Sequence, residues 1–363
     1  KWGKVGFILT VSGLFTQIGY FITRWIGAHY PIANMFEFMT FLSLTIVIAF
    51  TILYIMYRLT ALGAFVMPLS VIIFAYAYVF PSTSQPLIPA LQSNWLKIHV
   101  STAALGEGLF AVGFAAGLML LLRTVDTSVS SKSTKWLEFT LYTLLVLVGF
   151  IGSIFAFAGA GYEATFTETD KKGDEVKVNY VLPPIVAPPD SKIVSIDPFL
   201  GLDKPLFEAP SWMNGKNSAK KLNTLLWSFT VGAILYGLLR LFLRQRLCQV
   251  ASRWVSDIDE ETIDEISYRA IAIGYPVFVL GALIFAMIWA EQAWGRFWGW
   301  DPKEVWALIV FLFYTAYLHF RLSRGWHGTK SAWMAVLGFL VVMFTLVGVN
   351  LVLSGLHAYS GVQ

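Results

Sequence analysis

Residues 291–319, EQAWGRFWGWDPKEVWALIVFLFYTAYLH, decide the fold class of this chain. The run from Pro302 onward is almost entirely apolar over about 18 residues, enough to cross the hydrocarbon core of a bilayer as a helix. Asp301 is a good N-cap, Pro302 suits the first helical position, and Glu304 completes a capping box. The stretch therefore predicts a membrane-spanning helix that begins at Asp301.

The whole chain has the composition of an integral membrane protein. Of its 363 residues, 57% are hydrophobic and 13% are charged, whereas soluble domains carry about 25% charge. We predict an all-α polytopic bundle, because the apolar runs are too long for barrel strands. Nine spans are predicted, at about 4–23, 36–57, 61–80, 97–122, 136–159, 222–245, 270–290, 302–320 and 331–353.

Basic residues in the short connections predict the orientation. One side is predicted to be cytoplasmic because it holds Lys1, Lys4, Arg58, Arg123, Lys132, Lys135, Arg240, Arg244, Arg246, Arg253, Arg321, Arg324 and Lys330. The short segments of the opposite side hold Arg24, Lys97, Arg296 and Lys303. The net charge of +4 therefore reflects orientation in a cell membrane, and no basic stripe indicates nucleic-acid binding.

Three regions follow from the span pattern. Residues 1–159 form an N-terminal transmembrane bundle, 160–221 an extracytoplasmic cap loop, and 222–363 a C-terminal transmembrane bundle. The Pro-rich cap loop is expected to be small and irregular or partly β. Because residue 1 is Lys rather than Met, we expect a longer gene product or a processed chain.

Trp294, Trp298 and Trp300 crowd the segment just before Asp301. Tryptophans favour membrane interfaces, so an ordinary aromatic belt is one reading. A belt has one or two aromatic residues per span end, and this segment has more. The density favours a platform for a flat, largely apolar ligand.

Histidines on the same predicted side sharpen that reading. His99 lies at the start of the fourth span and His357 follows the ninth. Each alone is more simply an interfacial residue, but two imidazoles beside an aromatic platform would suit axial ligation of a haem iron. A ligating imidazole needs an acceptor for its second nitrogen, and Asp301 and Glu291 are candidates.

Other ionisable residues leave alternatives open. His319 lies about 27 Å along the helix from Asp301, so it is either an interfacial histidine or a ligand at a second, inner site. Glu107, within the fourth span, either has a function or bonds a neighbouring helix. The single cysteine, Cys248, excludes a disulfide framework and a Cys-based metal site.

Several motifs resemble those of one family. WGRFWGWDPKEVWALIVFLFYTAYLH at 294–319 resembles the WWD signature of haem-handling membrane proteins. PALQSNWLKIHVS at 89–101, SGLHAYS at 354–360 and RWIGAHYPIANMFEF at 24–38 resemble segments of the CcsA/ResC family, also called CcsB, of system II cytochrome c synthases. The resemblance covers nearly the whole chain, and the variant GAHYP leaves the role of His29 open.

This resemblance implies cytochrome c biogenesis. The chain would carry haem b across the membrane and present it outside for thioether attachment to CxxCH of apocytochrome c, as a synthase subunit. The platform would be the WWD segment 291–304, with Trp294, Trp298, Trp300 and Asp301. His99 and His357 would be the external axial ligands and His319 the inner ligand.

Partners are also implied. The family works with a ResB-like membrane subunit. The second inner histidine would come from that partner or from a missing segment of this chain, and we also expect a thioredoxin-like thiol reductant. Two alternatives from other classes are a membrane transporter with an aromatic gate and a b-type electron-transfer protein.

Overall fold

The computed structural model describes residues 2–84, 86–87, 89–169, 175–210 and 218–349. Within these residues nine helices are long and apolar enough to cross a membrane. The prediction of an all-α polytopic bundle with about nine spans is confirmed. The helices are α1 Trp2–Gly27, α2 Met35–Tyr57, α3 Thr60–Ala77, α4 Asn94–Thr124, α5 Lys132–Gly159, α6 Ser218–Leu243, α7 Leu247–Ser252, α8 Glu260–Phe278, α9 Ala286–Trp294, α10 Pro302–Arg324 and α11 Thr329–Met343.

One predicted span is longer and less regular than its sequence suggests. Helices α8 and α9 are joined without a break by a π-helical segment, Val279–Phe285, so that the whole rod runs over 260–294 rather than 270–290. A second π-helical segment, Phe344–Gly348, follows α11. A short 3₁₀ helix, Pro89–Gln92, precedes α4.

The chain divides into two compact units. Unit 1 comprises residues 1–134 and 248–363, and unit 2 comprises residues 135–247. The predicted boundaries at 159 and 222 follow the cap loop instead, and they stay a prediction.

Helix α4 is the centre of unit 1. Its apolar window is 94% buried, far more than that of any other described span. Glycines let neighbouring backbones come close: a β-carbon on Gly106 would lie 2.7 Å from the backbone nitrogen of Phe278, and one on Gly113 would lie 2.7 Å from the Ile271 side chain. Small residues at such crossings are typical of membrane helix pairs.

Charged side chains make specific contacts at the end of unit 1 that holds Arg123. At the end that holds Arg123, the Arg321 guanidinium forms a bidentate pair with Asp264, at 2.7 and 2.9 Å. At the same end, the carboxylate of Asp259 caps α8 by accepting hydrogen bonds from the backbone and hydroxyl of Thr262. These hydrogen bonds lower the pKa of the Asp259 carboxyl.

Unit 2 pairs helices α5 and α6 with a small β cap. Strands β1 Ala164–Thr169, β2 Glu175–Tyr180 and β4 Lys192–Ile196 form an antiparallel sheet in the order β2-β1-β4, and β3 Val186–Ala187 pairs in parallel with β5 Phe207–Glu208. The expectation of a partly β cap agrees with these strands. A small cluster of Tyr162, Ala164, Phe166 and Tyr180 is buried beneath them.

Asn223 fastens the cap to α6. Its carbonyl oxygen accepts hydrogen bonds from the backbone nitrogens of Ile185 and Val186, and its amide nitrogen donates to the carbonyls of Val186 and Ala219. All four distances lie between 2.7 and 2.9 Å. The buried side chain is therefore fully satisfied, and it joins the strand β3 to the helix directly.

Candidate functional site: an aromatic cluster beside His99

The start of α10 fixes the Trp-rich segment. Asp301 accepts a hydrogen bond from the backbone nitrogen of Lys303, while the Glu304 carboxylate accepts from the backbone nitrogens of Asp301 and Gly299. The predicted capping box is present. Because Glu304 also accepts a hydrogen bond from Gly299, the cap holds the chain in place two residues before the N-cap.

Trp298 and Trp300 meet edge to face within this held segment, with ring centroids 5.9 Å apart. Trp300 is 70% exposed and has a φ of 57°. A bulky residue in the left-handed region is strained by about 1–3 kcal/mol. The fold therefore holds a large, exposed indole in an unfavourable backbone conformation.

His99 is oriented by the π-helical segment. Its Nδ1 lies 2.9 Å from the carbonyl oxygen of Gly281. That oxygen also accepts the backbone N–H of Ala286, five residues on, as π-helical geometry requires. A neutral imidazole that donates from Nδ1 carries its lone pair on Nε2, the arrangement of a metal-ligating histidine.

Trp289 links His99 to the predicted platform. Its indole stacks on the His99 ring at 5.9 Å with an interplanar angle of 14°, and it meets Trp294 edge to face at 4.8 Å. Trp289 is 2% exposed and packs with Ile32 and Leu96 in one hydrophobic cluster. The structure thus brings His99 and Trp294 into one aromatic assembly.

A cavity of about 470 Å³ opens beside this assembly. Trp95 and Trp289 form its aromatic wall, and polar groups include Ser93 and Gln292, whose side chains hydrogen-bond at 2.8 Å. Most of the remaining lining is polar, with Gln92 and Asn94 beside Ser93, so the cavity alone does not indicate a site for an apolar ligand.

The other histidines have different surroundings. His357 lies outside the described residues, so its predicted role as second axial ligand stays a prediction. His319 is exposed on α10, on the opposite side from the buried Tyr317 and Arg321. His29 contacts the Tyr30 carbonyl at 3.1 Å and the Ser84 hydroxyl at 2.9 Å, so both of its nitrogens have protein partners.

The prediction of a carboxylate acceptor for His99 is wrong at its Nδ1. Sequence reasoning offered the carboxylates of Asp301 and Glu291, but the acceptor is the backbone carbonyl of Gly281. Asp301 instead serves the helix cap. A backbone carbonyl exposed by a π segment leaves no pattern in the side chains, so the sequence could not predict it. Trp289 could have been predicted, because it lies in the same helix as Trp294.

The donor set suits haem better than a bare metal ion. Within the described part of the chain, no group of three or more His, Cys, Asp or Glu side chains is placed to hold a metal. A haem iron needs only axial ligands from the protein, since the macrocycle supplies the others. One oriented imidazole, stacked on Trp289 beside Trp294, would fit that need.

Comparison with known proteins decides the family. Residues 32–165 and 224–357 match the profile of a family described as cytochrome C assembly protein. The chain belongs to the cytochrome c assembly protein family. Among its relatives, the cytochrome c biogenesis protein CcsA of Trichormus variabilis is 32% identical over 362 residues, covering 98% of this chain and 88% of the relative.

The likeness extends over nearly the full chain in further relatives. The proteins of the same description are 32% identical over 370 residues in Nostoc sp. and 29% identical over 360 residues in Gloeobacter violaceus. They are covered over 88% and 83% of their lengths. The matched segments include His99 and the Trp-rich segment, so the candidate site lies within the region that defines this cytochrome c assembly family.

Proposed function

We propose that this chain binds haem beside His99 and the Trp-rich segment and presents it to apocytochrome c for covalent attachment. Membership of the cytochrome c assembly family supports a role in cytochrome c biogenesis. The observation that carries the finer proposal is the His99 ring, oriented by the Gly281 carbonyl and stacked on Trp289 at the edge of the indole cluster.

Basic residues support an extracytoplasmic position for this site. The Lys and Arg residues of the short connections concentrate at the Arg123 end of the helices, which indicates the cytoplasmic side. His99 lies at the opposite end of α4. Apocytochrome c would then meet the haem outside the cell membrane.

The chain's own residues would act by positioning. His99 would hold the iron, and Trp294, Trp298 and Trp300 would cover the macrocycle and exclude water. In thioether formation each substrate thiol adds its sulfur to one vinyl carbon and its hydrogen to the other, so no electrons are exchanged with the protein. The single cysteine, Cys248, is buried, so the reacting thiols belong to the CxxCH substrate.

A second axial ligand and an inner site complete the proposal. His357 would supply a second imidazole to the iron, as the predicted bis-His site requires. His319 would bind haem during its passage through the membrane. Its exposure on α10 supports a site completed by another protein, for which a ResB-like subunit with its own histidine is the proposed partner.

Visible absorption of the purified protein tests the outer site. We expect a Soret band and a sharp reduced α band in the wild type. His99→Ala should lose or shift both bands and should abolish maturation of a CxxCH reporter when a ResB-like partner is present. His29→Ala is the matched control, because His29 lies at the same end and both of its ring nitrogens have protein partners.

The contrary result is a His99→Ala protein with an unchanged spectrum and full maturation. For the inner site, His319→Ala should lower haem loading in cells while the outer site still accepts haem added to the purified protein. Normal cellular loading of His319→Ala would make His319 an interfacial residue only.

A further inference from the structure

A buried carboxyl group lies in the middle of unit 1. Glu107, on the central helix α4, is 5% exposed, and its Oε2 has no hydrogen-bond partner among the described residues. Three residues on, Phe110 stacks on Tyr314 of α10 at 3.8 Å. The Tyr314 hydroxyl is also enclosed and without a partner in the described part of the chain. Two unsatisfied polar groups thus share one interior region.

Packing alone does not account for Glu107. The other wholly buried glutamate, Glu37, pairs with Arg24 at 2.9 Å and accepts the backbone nitrogen of Ala33 at 2.8 Å. Beside its chain neighbours Gly106 and Gly108, α8 contributes Phe278 and α2 contributes Thr45, whose hydroxyl bonds the Ala104 carbonyl. An unpaired carboxylate in such surroundings is unfavourable, and buried groups of this kind take up a proton instead.

A chain of polar side chains leads from Tyr317, whose ring neighbours that of Tyr314, to the Arg123 end. Tyr317 follows on the same helix, with its ring 6.4 Å from that of Tyr314, and its hydroxyl lies 3.4 Å from that of Ser331. Ser331 accepts a hydrogen bond from Arg321 at 2.8 Å, and Arg321 pairs with Asp264. Asp264 lies 4.0 Å from the exposed His327.

We propose that Glu107 and Tyr314 form an intramembrane proton-binding site that is reached from the Arg123 end of the bundle. A proton from water at that end would pass along the hydroxyl groups of Ser331 and Tyr317. Rotation of the Tyr314 hydroxyl, which has no partner among the described residues, would then carry the proton to Glu107 and convert its carboxylate to a carboxylic acid. Tyr317 gives up one proton as it accepts another, so it is a neutral phenol before and after the transfer. The transfer moves one proton and no electron, and it requires no haem.

Tyr314 is the titratable group that the stack on Phe110 brings to this part of α4. Thr45 of α2 and Phe278 of α8 lie against Gly108 and Gly106, the chain neighbours of Glu107, and neither side chain titrates near neutral pH. Glu107 is eight residues from His99, or about 12 Å along α4. The proton site is therefore separate from the aromatic cluster.

Infrared spectroscopy of the full chain in lipid tests the proton on Glu107. With ¹³C-labelled glutamate, the wild type at pH 7 should show an isotope-shifted carboxylic acid C=O band, and Glu107→Gln should lack it. The Gln variant is nearly isosteric and neutral, so it should fold. A wild type with no labelled acid band at pH 7 overturns the proposal whether or not the variant accumulates.

Exchange into D₂O tests the connection to water. The C=O band of Glu107 should shift to the deuterated frequency quickly in the wild type and at least tenfold more slowly in Tyr314→Phe. Tyr275→Phe is the matched control, because its hydroxyl bonds Thr315 between α8 and α10 but outside the polar chain. Equal exchange rates in the two Phe variants would overturn the role of Tyr314.

Discussion

Replacement of Gly281 by alanine tests how His99 is positioned. A β-carbon on Gly281 would lie 2.7 Å from the carbonyl carbon of Thr102 and closer still to the nitrogen of Ala103. Ordinary contact begins at 3.4 Å, so α4 and the π-helical segment must separate by at least about 0.7 Å. Overpacking of this kind costs about 1–3 kcal/mol. The Gly281 carbonyl would move with its backbone and weaken its hydrogen bond to His99.

The matched control is Gly19→Ala. Gly19 lies within α1 and a β-carbon there meets nothing within 4 Å, so both variants gain the same helix propensity and differ only in packing. We expect Gly281→Ala to melt about 2–12 °C below Gly19→Ala in detergent, at about 2–4 °C per kcal/mol. Haem affinity should fall about 10–100-fold, the usual effect of losing a partner of a ligating histidine.

Tryptophan fluorescence on heating reports the melting, and titration of the Soret band reports haem binding. Equal melting of the two variants would refute the proposed close packing at Gly281. Lower melting with unchanged haem affinity would keep the packing but refute the role of the Gly281 carbonyl.

Three further predictions concern other parts of the chain. Asp264→Ala should destabilise unit 1 by about 3–5 kcal/mol, because it leaves Arg321 buried and unpaired. Glu265→Ala breaks an exposed pair on the same helix and should cost at most about 0.5 kcal/mol. Equal melting temperatures of the two variants would contradict this prediction. Asn223→Ala should destabilise the β cap by about 2–4 kcal/mol by leaving backbone groups unsatisfied, seen as faster proteolysis of the cap than in Asn179→Ala. Trp300→Gly should raise the melting temperature by relieving about 1 kcal/mol of strain while haem retention falls, and a rise in both would contradict a binding role.

Span positions were predictable because hydropathy integrates over some twenty residues. The exact course of the eighth helix was not. Its first turns contain Glu260, Glu261, Asp264 and Glu265. So many charges lower the hydropathy, which therefore predicts a loop there. These residues instead form a capped helix that pairs with Arg123 and Arg321. The π segment was equally hidden, because its apolar residues fit either hydrogen-bond register.

The candidate site was predictable in its aromatic part. Trp294, Trp298 and Trp300 stand out by density, and topology placed His99 at the same end. The structure joins His99 to Trp294 through Trp289, a contact between residues 190 positions apart that no local pattern encodes. The ligand roles of His99, His357 and His319 stay predictions, for which the spectra described above are the measurement.

The central position of α4 also affects how the protein is made. Helix α4 ends at Thr124, yet α8 and α11, which cover much of its surface, are complete only near residue 343. At about 5–20 residues per second of synthesis, the ribosome needs roughly 10–45 seconds to supply them. During that interval a half-made chain holds Glu107 and the glycine face of α4 in the membrane without their final neighbours. Chains truncated before Glu260 should therefore be cleared quickly by membrane proteases, and the order of synthesis becomes a constraint on this fold.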